Sequence, residues 1–237
     1  MEALQATNVC RAYGKRKVLD GLSLMLKEGE FAALMGPSGS GKSTFLHVAA
    51  GLLSADGGAV VIGGTDIVPL GDAAATRFRR RRIGVVFQSF HLLETLSVYE
   101  NIVLPLKLDR RRVDRSRVEA LISRLGLKGL ESKHPCELSG GECQRVAVAR
   151  ALVTEPAVVL ADEPTGNLDV AAARSLCSLL REVNRDSSCA ILLVTHDPVV
   201  AACAQRIHFL KDGRIVDSFD ANNDPALISS RYLETFG

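Results

Sequence analysis

The run Gly36, Pro37, Ser38, Gly39, Ser40, Gly41, Lys42, Ser43 and Thr44 has the residue types and spacing of a phosphate cradle, G-x-x-x-x-G-K-[ST]. Glycines at 36, 39 and 41 let backbone N–H groups turn inward on a di- or triphosphate, and the N-terminus of a following helix adds positive potential. Lys42 has the reach for β- and γ-phosphates, and the Ser43 hydroxyl suits Mg2+. Asp162 ends the apolar run AVVLA, where an acid can hold Mg2+ through water. Glu163 follows it and points elsewhere, because side chains alternate at a strand end, which frees it to orient or deprotonate a water. An acidic pair capping a strand is the plainer reading of those two residues.

Two further polar residues follow apolar runs: Gln88 after IGVVF, which places it near the metal, and His196 in LLVTHD, suited to a γ-phosphate contact. A second glycine pair opens a helical pattern in LSGGECQRVAVARA, which also has the form of an anion site at a helix N-terminus. Two cradles about a hundred residues apart are more than one nucleotide requires.

The elements that would position these residues are legible in the hydrophobic pattern. FAALM (31–35), IGVVF (83–87), AVVLA (157–161) and AILLV (190–194) have the length and composition of buried strands. Each runs directly into a polar candidate. In an open parallel sheet, ligands bind beyond the carboxyl ends of the strands, so four such ends imply one crevice. Helical patterns lie between them in GKSTFLHVAAGLL, RVEALISRLGL, CQRVAVARALV and VAAARSLCSLLREVNRD. Residues 1–30 and 54–67 read as short strands with Gly turns, a small antiparallel sheet beside the nucleotide site.

The expected fold is α/β of the P-loop NTPase class, with a mainly parallel core sheet, an antiparallel β-subdomain and a helical insert. It forms one domain over 1–237: a core from 1–88 and 156–220, a helical segment 89–155, and a loosely attached polar tail 221–237.

At 237 residues, 47% hydrophobic and 24% charged, the composition is that of an ordinary globular protein, and a net charge of +2 points to no polyanionic partner, nucleic acid included. The longest apolar runs are strand-sized, far below the roughly 20 residues that span a bilayer, and the N-terminus lacks the apolar core of a secretory signal. The expectation is a cytosolic chain whose spanning partner, if it has one, is another protein. The six cysteines show no ligand spacing and read as reduced thiols without a metal. The basic cluster RFRRRR reads as a solvated helix face or loop.

Taken together, these residues closely resemble the ATPase subunit of ATP-binding cassette transporters over nearly the whole chain. GPSGSGKST resembles its Walker A, Gln88 its Q-loop, LSGGE its signature, VVLADEP its Walker B, TGNLD its D-loop and His196 its switch histidine. Tyr13 resembles the aromatic that stacks on adenine. The resemblance implies two copies paired head to tail around two ATPs, the signature of one chain capping the γ-phosphate held by the other. Ser139, Gly140 and Gly141 would then touch the partner's nucleotide, and Asp169 would cross the interface to help align the water. It implies ATP and Mg2+ as ligands, with Ser43, Gln88 and Asp162 at the metal, and Glu163, His196, Gln88 and Asp169 in catalysis.

It also implies an integral membrane permease and a place at the cytoplasmic face of the cell membrane. The segment SFHLLETLSVYENI would form the groove for a permease helix, or else pack inside the insert. RRRIGVVFQSFHLLETLSVYENIVLPL, LADEPTGNLD and VTHDP resemble the group that includes macrolide exporters, lipoprotein-releasing complexes, antimicrobial-peptide resistance transporters and the cell-division ATPase. A regulatory or mechanical complex that transports nothing is the alternative. One departure from the family is Cys143, where glutamine is common. With Cys136 it puts thiols near the expected interface.

Overall fold

In the computed structural model, which describes residues 1–187 and 189–237, the four apolar runs are the centre of one sheet. They form β3 (Phe31–Met35), β6 (Ile83–Phe87), β7 (Val158–Asp162) and β8 (Ala190–Val194). With β9 (Arg206–Lys211) they run parallel, and β10 (Arg214–Asp220) closes the edge antiparallel, in the order β10-β9-β3-β8-β7-β6. The strand pattern explains itself physically. Every residue of β3 and β8 is buried, and alternate residues feed two separate cores. Phe31, Ala33, Met35, Ile191 and Leu193 face one, while Ala32, Leu34, Ala190, Leu192 and Val194 face the other. A sheet covered on both sides needs continuous apolar strands, and these have them.

One core is roofed by helices and the other by the second sheet. The latter is β1 (Glu2–Tyr13), β2 (Arg16–Lys27), β4 (Gly57–Ile62) and β5 (Thr65–Asp66), antiparallel in the order β2-β1-β4-β5. Between the sheets lies α1 (Lys42–Ala49), with Phe45, Leu46 and Val48 buried. The expected antiparallel subdomain and the four core strands are thus where the sequence placed them.

The segment 89–155 is helical: α3 (Val98–Leu108), α4 (Arg115–Arg124), a short 3-10 turn at 135–137 and α5 (Gly140–Leu152). A reciprocal Ser97–Glu100 capping box starts α3, and the Asp114 carboxylate caps α4. Helix α5 lies against β6 so closely that a Cβ on Gly84 would sit 2.7 Å from the Ala151 carbonyl oxygen. On the same face lie α6 (Val170–Asp186), α7 (Pro198–Ala201) and α8 (Pro225–Phe236).

Two readings need correction. The tail is not loosely attached: α8 buries Ile228 completely and sets Tyr232 and Phe236 edge-to-face against Phe209, at centroid distances of 5.8 and 5.4 Å. Arg231 also lies 4.4 Å over the Phe219 ring. The basic cluster does lie on a helix, α2 (Asp72–Arg82), but it is largely engaged. Arg79 donates to the Gly51 carbonyl at 2.8 Å, Arg80 to that of Leu108 at 2.7 Å, and Arg81 to the Asp109 carboxylate at 2.8 Å. These bonds staple α2 to the ends of α1 and α3.

Candidate functional site

The phosphate loop is shaped before any ligand arrives. Gly39 and Gly41 take left-handed φ of +77° and +108°, a region costly for any residue with a Cβ. At Gly36 a Cβ would lie 2.2 Å from the Leu210 carbonyl oxygen, so β9 leaves room for glycine only. Gly41 caps α1 without a side chain, which leaves the first N–H groups of the helix to an external acceptor. Lys42 is buried and donates to the carbonyls of Gly36 and Pro37 at 2.8 and 2.9 Å, with burial pulling its pKa below the usual lysine range. Ser40 Oγ is buried with no hydrogen-bond partner among the described residues. A glycine-shaped loop with a desolvated cation and an orphaned hydroxyl fits an anion.

The strand ends bring the acids to this loop. Ser43 donates to Asp162 Oδ1 at 3.2 Å, and burial pushes the Asp162 pKa up. A hydroxyl and a partly desolvated carboxylate side by side form an oxygen donor set of the kind a hard divalent cation accepts. Glu163 leaves β7 with φ +43°, and its N–H donates to the Val194 carbonyl of β8 at 2.9 Å. That left-handed turn, rather than simple strand alternation, separates its carboxylate from that of Asp162. The carboxylate is instead in hydrogen-bond contact with His196, Nδ1 to Oε1 at 3.1 Å. The two residues given separate roles from the sequence are one pair. His196 is the exposed member, its side chain 68% accessible against 27% for Glu163.

Gln88 follows Phe87, which pairs with Asp162 across β6 and β7, so it leaves the sheet beside the acids. Its side-chain hydrogen bonds run to the segment after β7. Gln88 Nε2 donates to Asn167 Oδ1 at 3.5 Å, and Asn167 Nδ2 returns a bond to the Gln88 carbonyl at 3.0 Å. Among the described residues no hydrogen bond joins Gln88 to Ser43 or Asp162. Tyr13 ends β1 with its ring half exposed and pairs with Arg16, whose guanidinium lies beside Gly39 of the phosphate loop. The aromatic thus sits on the strand pair whose Arg16 reaches the cradle.

The second glycine pair forms a separate place. Ser139 caps α5 in a reciprocal box with Glu142, its hydroxyl 2.8 Å from Glu142 Oε2. Ser139, Gly140 and Gly141 line a cleft of about 360 Å³ with Asn167, Leu168 and Asp169, and no residue of the 36–44 loop enters it. Asp169 caps α6 through Ala172 N–H at 2.8 Å. The sequence candidates thus fall into two groups, one at the phosphate loop and one at this cleft, with Gln88 and Asn167 linking them.

Three site residues had not been singled out. Asn167 lies in the quoted TGNLD but carried no assignment. Arg11 lies over Tyr13, 5.2 Å from its centroid, and is held by Asp56 at 2.8 Å. Its place two residues before Tyr13 on a strand puts both on one face, a signal that was available. Arg150 donates to the carbonyls of Phe90 and His91 at 2.8 and 2.5 Å, tying α5 to the loop after Gln88. Nothing in the sequence marks that contact.

Comparison with known proteins gives one answer. Residues 19–166 match the family described as ABC transporter. The chain is 39% identical over 221 residues to the bacitracin export ATP-binding protein BceA of Halalkalibacterium halodurans, covering 91% of this chain and 87% of that one. It is 44% identical over 220 residues to the lipoprotein-releasing system ATP-binding protein LolD of Bordetella avium, covering 90% and 96%. Among solved structures, the dimeric bacterial ABC transporter cassette MJ0796 superposes with a TM-score of 0.83 at 37% identity, over 92% of this chain and 99% of that one. A dimeric post-hydrolysis form of MJ0796 bound to ADP and Pi gives 0.82 at 36% identity, with the same coverage. No helix among the described residues is long and apolar enough to cross a membrane. With its phosphate loop, acid pair and signature helix in the arrangement described above, the chain belongs to the ABC transporter family, as an ATP-binding, ATP-hydrolysing subunit.

Proposed function

We propose that the chain pairs head to tail with a second copy of itself around two ATPs and drives an integral membrane permease from the cytoplasmic face. The observation that carries the catalytic part is the Glu163–His196 contact at 3.1 Å, beyond the ends of adjacent strands and next to the Ser43–Asp162 bond.

In this reading the 36–44 loop wraps the phosphates, Tyr13 stacks on the adenine, and Lys42 exchanges its two loop carbonyls for phosphate oxygens. Ser43 and Asp162 hold Mg2+, with Gln88 beside them. That ion supplies positive charge for the phosphate oxygens. Glu163 takes the proton of the attacking water, its carboxylate oriented by His196. A positioned base of this kind contributes roughly 10²–10⁴-fold. His196, the exposed partner, makes no hydrogen bond at its other ring nitrogen among the described residues, which leaves that atom to meet the γ-phosphate. Ser139, Gly140, Gly141 and Asp169 act on the partner's nucleotide, which explains why their cleft lacks any residue of the chain's own phosphate loop.

The relatives favour a substrate of the peptide-antibiotic or lipoprotein class, because similarity to the bacitracin exporter and the lipoprotein-releasing subunit is comparable and extends over most of each chain. A permease that moves mechanically without passing a solute is the alternative. The groove beyond Gln88 is the proposed permease contact. Glu163→Gln tests the catalytic assignment: ATP binding is retained and turnover falls by about a hundredfold or more. Turnover near the wild-type rate rejects Glu163 as the base.

A further inference from the structure

The turn between β1 and β2 concentrates positive charge. Arg11, Lys15, Arg16 and Lys17 fall within seven residues that include no acid. Acids from elsewhere in the chain answer two of them. Asp56 takes the Arg11 guanidinium at 2.8 Å and caps the Ala12 N–H at 2.7 Å, which fixes the end of β1. Asp20 takes Lys17 Nζ at 3.2 Å. Lys15, at the tip of the turn, makes no hydrogen bond or ion pair through its side chain among the described residues. Arg16 is exposed and also has no carboxylate partner among them, but its guanidinium has a definite place.

Strand β2 aims Arg16 at the phosphate loop. Val18, two residues along and therefore on the same face, packs on that loop. A Cβ on Gly41 would lie 2.7 Å from the Val18 carbonyl oxygen and 3.5 Å from Val18 Cγ1. At Gly39 the atom nearest to such a Cβ is Arg16 Nη2, at 3.5 Å. Two successive residues on one face of β2 thus meet two glycines of the cradle. Backbone bonds hold strand and loop in this relation. Gly213, in the turn between β9 and β10, accepts from the Asp20 N–H and donates to the Ser40 carbonyl, each at 3.1 Å. A guanidinium without a carboxylate, kept beside a loop shaped for an anion, is a charge left for the ligand.

We propose that Arg16 is a second nucleotide-binding cation, contacting the α- and β-phosphates from the solvent side of the loop that Lys42 serves from within. This rests on the reading of residues 36–44 as the ATP cradle. In that reading Tyr13 stacks on the adenine, and Arg16 is its partner across the β1–β2 ladder. A base on that ring leaves for the guanidinium the phosphates nearest the base, which ADP retains. The guanidinium offers them paired, coplanar N–H donors. Salt reaches the two cations differently. Lys42 is buried, so its attraction is little screened, whereas Arg16 is exposed and its attraction weakens as ionic strength rises. Arg16 therefore supplies the salt-sensitive part of polyphosphate recognition.

The test measures displacement of a fluorescent ATP analogue from the full chain by ADP and by inorganic tripolyphosphate, which has the phosphates without the base. At about 50 mM salt, Arg16→Gln should weaken both ligands by about two- to fivefold, the range for an exposed charge pair. At about 500 mM salt the difference from wild type should shrink towards none. Wild-type affinity of Arg16→Gln for both ligands overturns the assignment. So does a loss for ADP alone, which would put the residue at the base or sugar. A loss undiminished at high salt also overturns it, because a change acting through the shape of the hairpin is not screened. Lys42→Ala is the control for the underlying reading and should weaken both ligands at either salt concentration. If Lys42→Ala binds both normally, the cradle reading fails. If only Arg16→Gln does so, the cradle stands and Arg16 is excluded from it.

Discussion

Replacing Arg150 by methionine separates the signature helix from the loop after Gln88 while leaving the phosphate cradle untouched. Arg150 makes two bonds from a charged donor, to the Phe90 and His91 carbonyls at 2.8 and 2.5 Å. Bonds of this type contribute about 1.5–3 kcal/mol each, so about 3–6 kcal/mol of local interaction is removed. Two effects oppose that loss. Phe90 and His91 sit at φ +58° and +49°, and leaving the left-handed region relieves about 1–2 kcal/mol per residue. The guanidinium, whose pKa burial pulls down, also no longer has to be desolvated. Methionine keeps most of the apolar stem.

The net global cost is therefore about 1–2 kcal/mol, a fall in Tm of roughly 2–8 °C at this chain length. The loop at 89–93 loses its tether. Hydrogen exchange read by mass spectrometry should show amides 89–93 exchanging at least about tenfold faster, corresponding to 1.4 kcal/mol, with the interior of α5 unchanged. ATP affinity should stay at the wild-type value. Unchanged exchange at 89–93 would refute the tether, and loss of protection throughout α5 would show that Arg150 supports the core instead.

Other outcomes follow from the same structure. His208 is buried and held at about 4, chiefly by burial, so the native state resists its protonation. Its contribution is intact above the unfolded value near 6.5 and is lost as pH falls towards 4. Between pH 7 and pH 5, urea unfolding of the wild type should lose about 2 kcal/mol more than that of His208→Gln; parallel profiles would reject this. Gly84→Ala forces a Cβ to within 2.7 Å of the Ala151 carbonyl and should cost about 1–3 kcal/mol in chemical denaturation; a neutral result would show that α5 moves away freely. Ile228→Ala, in the docked terminal helix, should cost about 2–5 kcal/mol, whereas a loosely attached tail predicts no change.

The parallel core was legible because a sheet buried on both faces demands uninterrupted apolar strands, and FAALM and AILLV are uninterrupted. The site followed because each of those strands ends in a chemically capable residue. Strands β9 and β10 were passed over although Lys211, Asp212, Gly213 and Arg214 carry a hairpin signal, with Asp212 and Gly213 at φ +48° and +75°. The terminal helix was hidden by polar residues on its outer face, since its attachment rests on buried Ile228, on Tyr232 and Phe236 meeting Phe209 of β9, and on Arg231 over Phe219 of β10. The Glu163–His196 contact could not be read from spacing. It depends on a left-handed turn at Glu163 that propensity disfavours and the tertiary structure imposes. The contact of Arg150 with the loop after Gln88 is long-range in sequence and follows no local pattern.

In the proposed head-to-tail dimer, the two anion cradles of one chain serve two different nucleotides. Complementation tests it directly. In a Glu163→Gln background, chains carrying Lys42→Ala have no working phosphate loop, and chains carrying Ser139→Arg have no working signature. Neither preparation alone should occlude ATP. A head-to-tail dimer formed on mixing them contains one intact site, assembled from the phosphate loop of one chain and the signature of the other. The mixture, and only the mixture, should retain radiolabelled ATP through gel filtration at the dimer position. A mixture that retains no more ATP than its separate components would contradict it.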